Sequence, residues 1–117
     1  MESHILLIGN DDGLQATRAA ILNQRWFAFP APPNDAMRNL EAEQPDLLIL
    51  CHTLSSDQAL DLVRACRDNF PEVRILALEA RSGSARELKA DAVVETALGP
   101  ESMVSATELL LHDKEHR

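Results

Sequence analysis

Pro45-Asp46-Leu47-Leu48-Ile49-Leu50-Cys51 is the stretch that decides the fold. Pro45 stops whatever precedes it, and an apolar run without polar alternation follows. Such a strand is covered on both faces, as in a parallel sheet packed between helices. It is the candidate for the centre of the sheet. Similar runs lie on either side of it. Ile5-Leu6-Leu7-Ile8 reads as a first strand, Val73 to Leu78 as a fourth, and Ala92-Val93-Val94 as a short fifth. Trp26-Phe27-Ala28-Phe29 is the second, stopped by Pro30-Ala31-Pro32-Pro33. Prolines cannot donate to a ladder, so this strand belongs at a sheet edge.

Amphipathic segments fill the gaps. The first helix runs from about Leu14 to Gln24, with Leu14, Thr17, Ile21 and Leu22 near one face. Asn34 or Asp35 caps a second helix that reaches about Gln44 and turns Ala36, Met37 and Leu40 inward. Ser55-Ser56-Asp57-Gln58 is a capping box, and the third helix it opens runs to about Asn69, burying Ala59, Leu60, Val63 and Cys66. Pro100 opens the last helix at a position where its missing N–H costs nothing, and Met103, Ala106, Thr107 and Leu110 face inward. Between Ala80 and Lys89 there is room for at most two helical turns, around Ala85 to Leu88. Strands alternating with helices, joined by right-handed crossovers, make an α/β doubly wound sheet.

The chain has 117 residues, enough for one hydrophobic core and too few for two. No apolar run approaches the ~18 residues of a membrane span, and the start Met1-Glu2-Ser3-His4 lacks the basic region of a signal peptide. A cytoplasmic location is the expectation. With 19 acidic against 11 basic residues the net charge is -8, which disfavours contact with nucleic-acid phosphates. The tail from His112 to Arg117 is mixed in sign and reads as a frayed end, with no role as a binding arm. Cys51 and Cys66 form no zinc spacing, and in a cytoplasmic protein they are free thiols.

The order and spacing of these segments resemble a receiver (CheY-like) domain of two-component response regulators. Pro45-Asp46-Leu47 with its apolar continuation is similar to the family's approach to strand three. Ala90-Asp91-Ala92-Val93-Val94 is similar to its Gly-Ala-Asp-x-Tyr/Phe-Leu run into strand five. The resemblance covers residues 1–117 as a single receiver-like domain with no output domain. It implies a flavodoxin-like, five-stranded parallel sheet of order 2-1-3-4-5, here with a shortened fourth helix.

The positions that carry the family's chemistry depart from its pattern. Receivers hold Mg²⁺ with two acidic residues directly after strand one. Here Gly9 and Asn10 stand there, and the acidic candidates Asp11 and Asp12 come later, where a capping or turn role is the simpler reading. The resemblance places the phosphoacceptor aspartate at Cys51, and an acyl phosphate cannot form on a thiol. Asp46 lies at the other end of the strand, roughly 17 Å away. Asp57 belongs to the first turn of the third helix. The Ser or Thr that ends strand four in receivers is replaced by Glu79, and the Lys that ends strand five by Thr96. Lys89 lies before that strand.

The resemblance and its departures lead to a degenerate receiver. It would be a stand-alone signalling module and not an enzyme, touching a histidine kinase or another signalling protein, with no membrane or nucleic-acid partner. Two alternatives stay open. Cys51 beside His52 could serve as a thiol sensor or nucleophile, although neighbours on a strand point to opposite faces and Glu79 nearby would raise the thiol pKa. The Gly9-to-Gly13 loop could cradle a ligand, or Asp11, Asp12 and Glu79 could converge on a cation such as Mg²⁺. The plain reading of Cys51 is a small buried hydrophobe, and of Trp26 and Phe27 edge packing. His4 and His112 read as structural or exposed.

Overall fold

The computed structural model describes residues 3–115. In chain order these form β1 (His4–Ile8), α1 (Asp12–Leu22), β2 (Phe27–Ala31), α2 (Ala36–Glu43), β3 (Leu47–Leu50), α3 (Ser56–Asn69), β4 (Arg74–Glu79), β5 (Ala92–Glu95) and α4 (Pro100–Glu115). Short 3₁₀ turns stand at Pro33–Asp35, Arg86–Leu88 and Thr96–Leu98. The sheet is parallel throughout, in the order β2-β1-β3-β4-β5.

Strand side chains alternate in direction, so one apolar run feeds two cores. Leu6, Ile8, Leu48, Leu50 and Ile75 pack with Leu40 of α2 and with Leu62, Val63 and Cys66 of α3. Ile5, Leu7, Leu47, Ile49, Leu76 and Leu78 face the other way, toward Ala19 and Leu22 of α1 and Met103 and Leu111 of α4. Both clusters need every second residue, which is why these strands carry no polar alternation.

Two aspartates that precede strands fasten the lower edge of the sheet. Asp46 Oδ2 accepts from the His4 N–H at 3.0 Å, and Asp91 Oδ2 accepts from the Ile75 N–H at 2.7 Å. Each carboxylate serves an amide within the first two residues of a neighbouring strand. Asp91 is also paired with Arg67 at 3.3 Å and Arg74 at 3.8 Å. The Asp of Pro45-Asp46-Leu47 therefore has a structural task in this chain.

Several expectations shift. The buried face of α1 is Gln15, Ala19 and Leu22, while Thr17 is exposed, so the helix is turned relative to the apolar stripe. A glutamine is hard to place inside from sequence unless its amide finds partners, and this one does. In α3, Leu62 is buried where Leu60 is only half-buried, and the last helix buries Leu111 beyond Leu110. Helix α4 continues through Glu115, so the tail is ordered further than expected, and His116 and Arg117 lie outside the described residues.

Strand β2 runs through Pro30 to Ala31 without stopping at it. The Phe27 N–H points to β1 and donates to Ser3 O at 2.9 Å, whereas the Ala28 N–H points away and donates to Asn23 Oδ1 at 2.8 Å. By that alternation Pro30, like Ala28, faces the free side, where its missing N–H removes no ladder bond. The connection from β4 to β5 holds only the 3₁₀ turn Arg86–Leu88. The helix expected between β4 and β5 is thus reduced to one 3₁₀ turn.

Leu48 is fully buried at the centre of one core, whereas Leu109 is 70% exposed. Leu48→Ala is expected to lower unfolding free energy by about 2–5 kcal/mol, and Leu109→Ala by less than about 0.5 kcal/mol, in urea titrations.

Candidate functional site

In a doubly wound sheet the ligand crevice opens beyond the carboxyl ends of the strands, where successive crossovers leave in opposite directions. Here that point lies between β1 and β3, and the loops Gly9–Asp11 and Cys51–Ser55 meet across it. They meet closely. A Cβ added to Gly9 would stand 2.8 Å from Cys51 Cβ, 2.9 Å from Thr53 Oγ1 and 2.6 Å from Gln15 Oε1. Only the missing side chain allows the two loops to touch.

Asn10 fastens the contact. Its backbone N–H donates to Thr53 Oγ1, and its Nδ2 donates to Thr53 O and Gln58 Oε1, each at 2.9 Å. Gln58 also closes the capping box of α3, accepting from the Ser55 N–H at 3.0 Å while its own N–H donates to Ser55 Oγ at 3.1 Å. One glutamine therefore caps a helix and anchors the loop opposite. A network of this kind is stable because each member is satisfied.

Cys51 sits beneath this contact and is 3% exposed. Its N–H donates to Ile8 O at 2.9 Å, and its thiol points at Gln15 Oε1, 3.6 Å away. Gln15 Nε2 donates in turn to Ala31 O at 3.2 Å, so the buried amide is tied to β2. Burial pushes the Cys51 thiol pKa up, against a smaller opposing pull from the Arg18 guanidinium. The expected cause, Glu79, is replaced by desolvation.

Arg18 belongs to no motif in the sequence. From α1 it reaches back over the end of β3, where its Nη2 lies 3.3 Å from His52 Nδ1. A guanidinium can only donate, so Nδ1 accepts and the ring proton sits on Nε2. Burial first, then the Arg18 charge, lowers the His52 pKa, with Asp11 acting in the opposite direction. His52 contacts α1, and its pairing with Cys51 as thiol and base is not what this geometry provides. The signal available in the sequence was an arginine inside an amphipathic helix whose face was assigned one residue out of phase.

The carboxylates go to separate tasks. Asp11 is the N-cap of α1, its Oδ1 accepting from the Leu14 N–H at 3.0 Å, and Asp12 lies exposed in the first turn. Glu79, at the end of β4, is 7% exposed. Its Oε1 accepts from the Gly83 N–H at 3.0 Å and its Oε2 from the Ala85 N–H at 2.8 Å. Those two bonds, the Ala85 one first, hold its pKa below the usual glutamate range. Thr96 opens the 3₁₀ turn after β5 and is half-buried. The cation expected from Asp11, Asp12 and Glu79 has no site of that kind, since among the described residues no three His, Cys, Asp or Glu side chains converge to hold a metal ion. Gly9 and Asn10, the latter spending its amide on Thr53 and Gln58, do not fit Mg²⁺ either.

A cavity of about 350 Å³ lies beside the closed crevice, between the start of α3 and the 80–88 segment. Cys51, Ser55 and Asp57 line one side, with Arg81, Ala85 and Leu88 on the other.

No family model and no curated protein matches the sequence. Solved structures do match. The response regulator receiver domain protein (CheY-like) of Methanospirillum hungatei superposes with a TM-score of 0.85 at 15% identity, over 99% of this chain and 98% of that one. This chain has the receiver fold. The signal receiver domain of a response regulator from Bermanella marisrubri gives 0.82 at 20% identity, over 95% and 99% of the two chains. A response regulator from Thermotoga maritima gives 0.83 at 13%, over 96% and 99%. At such identities the likeness is one of fold.

Two outcomes follow from the closed edge of the sheet. Gly9→Ala is expected to cost about 1–3 kcal/mol of stability by forcing the loops apart, read by urea unfolding with Gly13→Ala as the milder control. For Glu79 the folded pKa lies below the unfolded one, so its contribution is present above the ordinary glutamate range and fades as pH falls through the folded pKa. Amide exchange at Gly83 and Ala85 should be as slow at pH 5 as at pH 7 after correction for intrinsic rates. It should accelerate only at stronger acid, and at all pH values in Glu79→Ala.

Proposed function

We propose that this domain is a signalling module of the receiver type that accepts no phosphoryl group and acts by protein contact. The receiver fold fits a response-regulator-like module, and receivers as a class signal without catalysing turnover of their own. The observation that carries the finer reading is the closed β1–β3 crevice. Gly9 lies against Cys51, Asn10 is spent on Thr53 and Gln58, and a thiol stands where the resemblance places the phosphoacceptor. Glu79 supports the same reading. Where the resemblance expects a hydroxyl free to bond an incoming phosphoryl group, a carboxylate binds the backbone of its own loop. A negative group there opposes a phosphate and holds the 80–85 segment in one arrangement.

A domain without a phosphorylation switch exerts its effect by presenting a fixed surface to another chain. A histidine kinase or another signalling protein is the partner class that the receiver fold makes most natural. Net charge of -8 makes a nucleic-acid target unfavourable, and no helix among the described residues is long and apolar enough to cross a membrane. The thiol alternative is weakened by the same geometry, because a buried Cys51 whose pKa is raised carries little thiolate at neutral pH.

Purified protein incubated with Mg²⁺ and acetyl phosphate, then read by intact mass, is expected to stay unmodified. A stoichiometric phosphoryl adduct would overturn the proposal.

A further inference from the structure

Arg18 is the feature that neither the fold nor the closed crevice accounts for. Its Nη1 is shielded from solvent and has no hydrogen-bond partner, and the guanidinium lies against the Cys51 thiol, a weak and uncharged acceptor. Its Nη2 is met by a neutral imidazole nitrogen. Among the described residues it makes no ion pair with a carboxylate, in a chain that has 19 acidic residues. A partly buried guanidinium with an unsatisfied N–H is costly, and removing a charged donor's partner costs more than removing a neutral one's.

The same side chain forms part of the wall of a second cavity, of about 210 Å³, between α1, the end of β5 and the start of α4. Leu14, Ile21, Leu78, Val94 and Met103 give this cavity an apolar lining, and Glu95 is its acidic member.

We propose that Arg18 and this cavity form a binding site for a small organic carboxylate with an apolar body. The cavity takes the hydrocarbon part, and the carboxylate meets the guanidinium. A small rotation of the Arg18 side chain toward the cavity exchanges an unpartnered Nη1–H for a charge-assisted hydrogen bond. The lining decides against inorganic phosphate. One cation and one carboxylate line the cavity within a chain of net charge -8, so a dianion meets more repulsion than a monoanion, and a bare phosphate leaves the apolar walls wet. The site does not depend on whether the receiver accepts a phosphoryl group.

The test is titration of the intact protein with benzoate, hexanoate, acetate and inorganic phosphate, followed by NMR. Benzoate and hexanoate are expected to give saturable shifts at Arg18, Val94 and Met103, with acetate much weaker and phosphate inert. The bound anion offsets the Arg18 charge, so the His52 imidazole should titrate closer to its ordinary value in the presence of benzoate. Arg18→Met should weaken benzoate by about tenfold or more, the loss of one charge-assisted bond, while its thermal midpoint is no lower than the wild type's. Ile21→Phe, which fills the cavity and leaves Arg18 in place, should also weaken benzoate. Absence of saturable shifts in the wild type, or unchanged affinity in Arg18→Met, would sink the proposal. Phosphate or acetate binding as tightly as benzoate would overturn the role of the apolar lining.

Discussion

Burial of β1 and β3 on both faces is the constraint from which the rest of the fold follows. Their residues alternate between two cores, so helices must cover each side and the chain must cross the sheet repeatedly. The upper edge of the sheet is then where polar groups can gather. Ile8 and Leu50 end side by side, and the Cys51 N–H continues the pairing to Ile8 O at 2.9 Å. Gly9 and Cys51 are therefore held together by the ladder below them. What the edge can do is decided by the size and polarity of the next few side chains.

Two charged groups at this edge are treated in opposite ways. Glu79 is buried but fully engaged, with each carboxylate oxygen taking one backbone amide of the segment that replaces a helix. The carboxylate organises ten residues that have little apolar content of their own. Arg18 is the reverse case: a cation near the same edge whose donors are incompletely met. A structure that satisfies Gln15, Asn10 and Gln58 so thoroughly leaves Arg18 Nη1 without a partner in a residue that lines a cavity.

The likeness to receivers at 13–20% identity is carried by pattern more than by particular residues. What is shared is the path of the backbone over nearly the whole of both chains. The result is a receiver scaffold whose central crevice is filled by its own loops, with cavities to either side. That division separates the question of fold from the question of activity.

The alternation of apolar runs with amphipathic segments determined the strands and the capping box of α3, because each depends on spacing within a short segment, whereas the strand order was implied only by the resemblance to receivers. Asp46 and Asp91 could be placed before their strands in the same way. The closure of the crevice was decided only by the tertiary structure. Asn10 and Thr53 are 43 residues apart, and Asn10 and Gln58 are 48 apart, so no local period relates them. The phase of α1 was likewise settled by contact, since Gln15 turns inward to meet Cys51 and Ala31 and carries Arg18 to His52. A hydrophobic pattern reports which face avoids water. Which polar groups meet depends on how separate loops pack, and that is fixed in three dimensions.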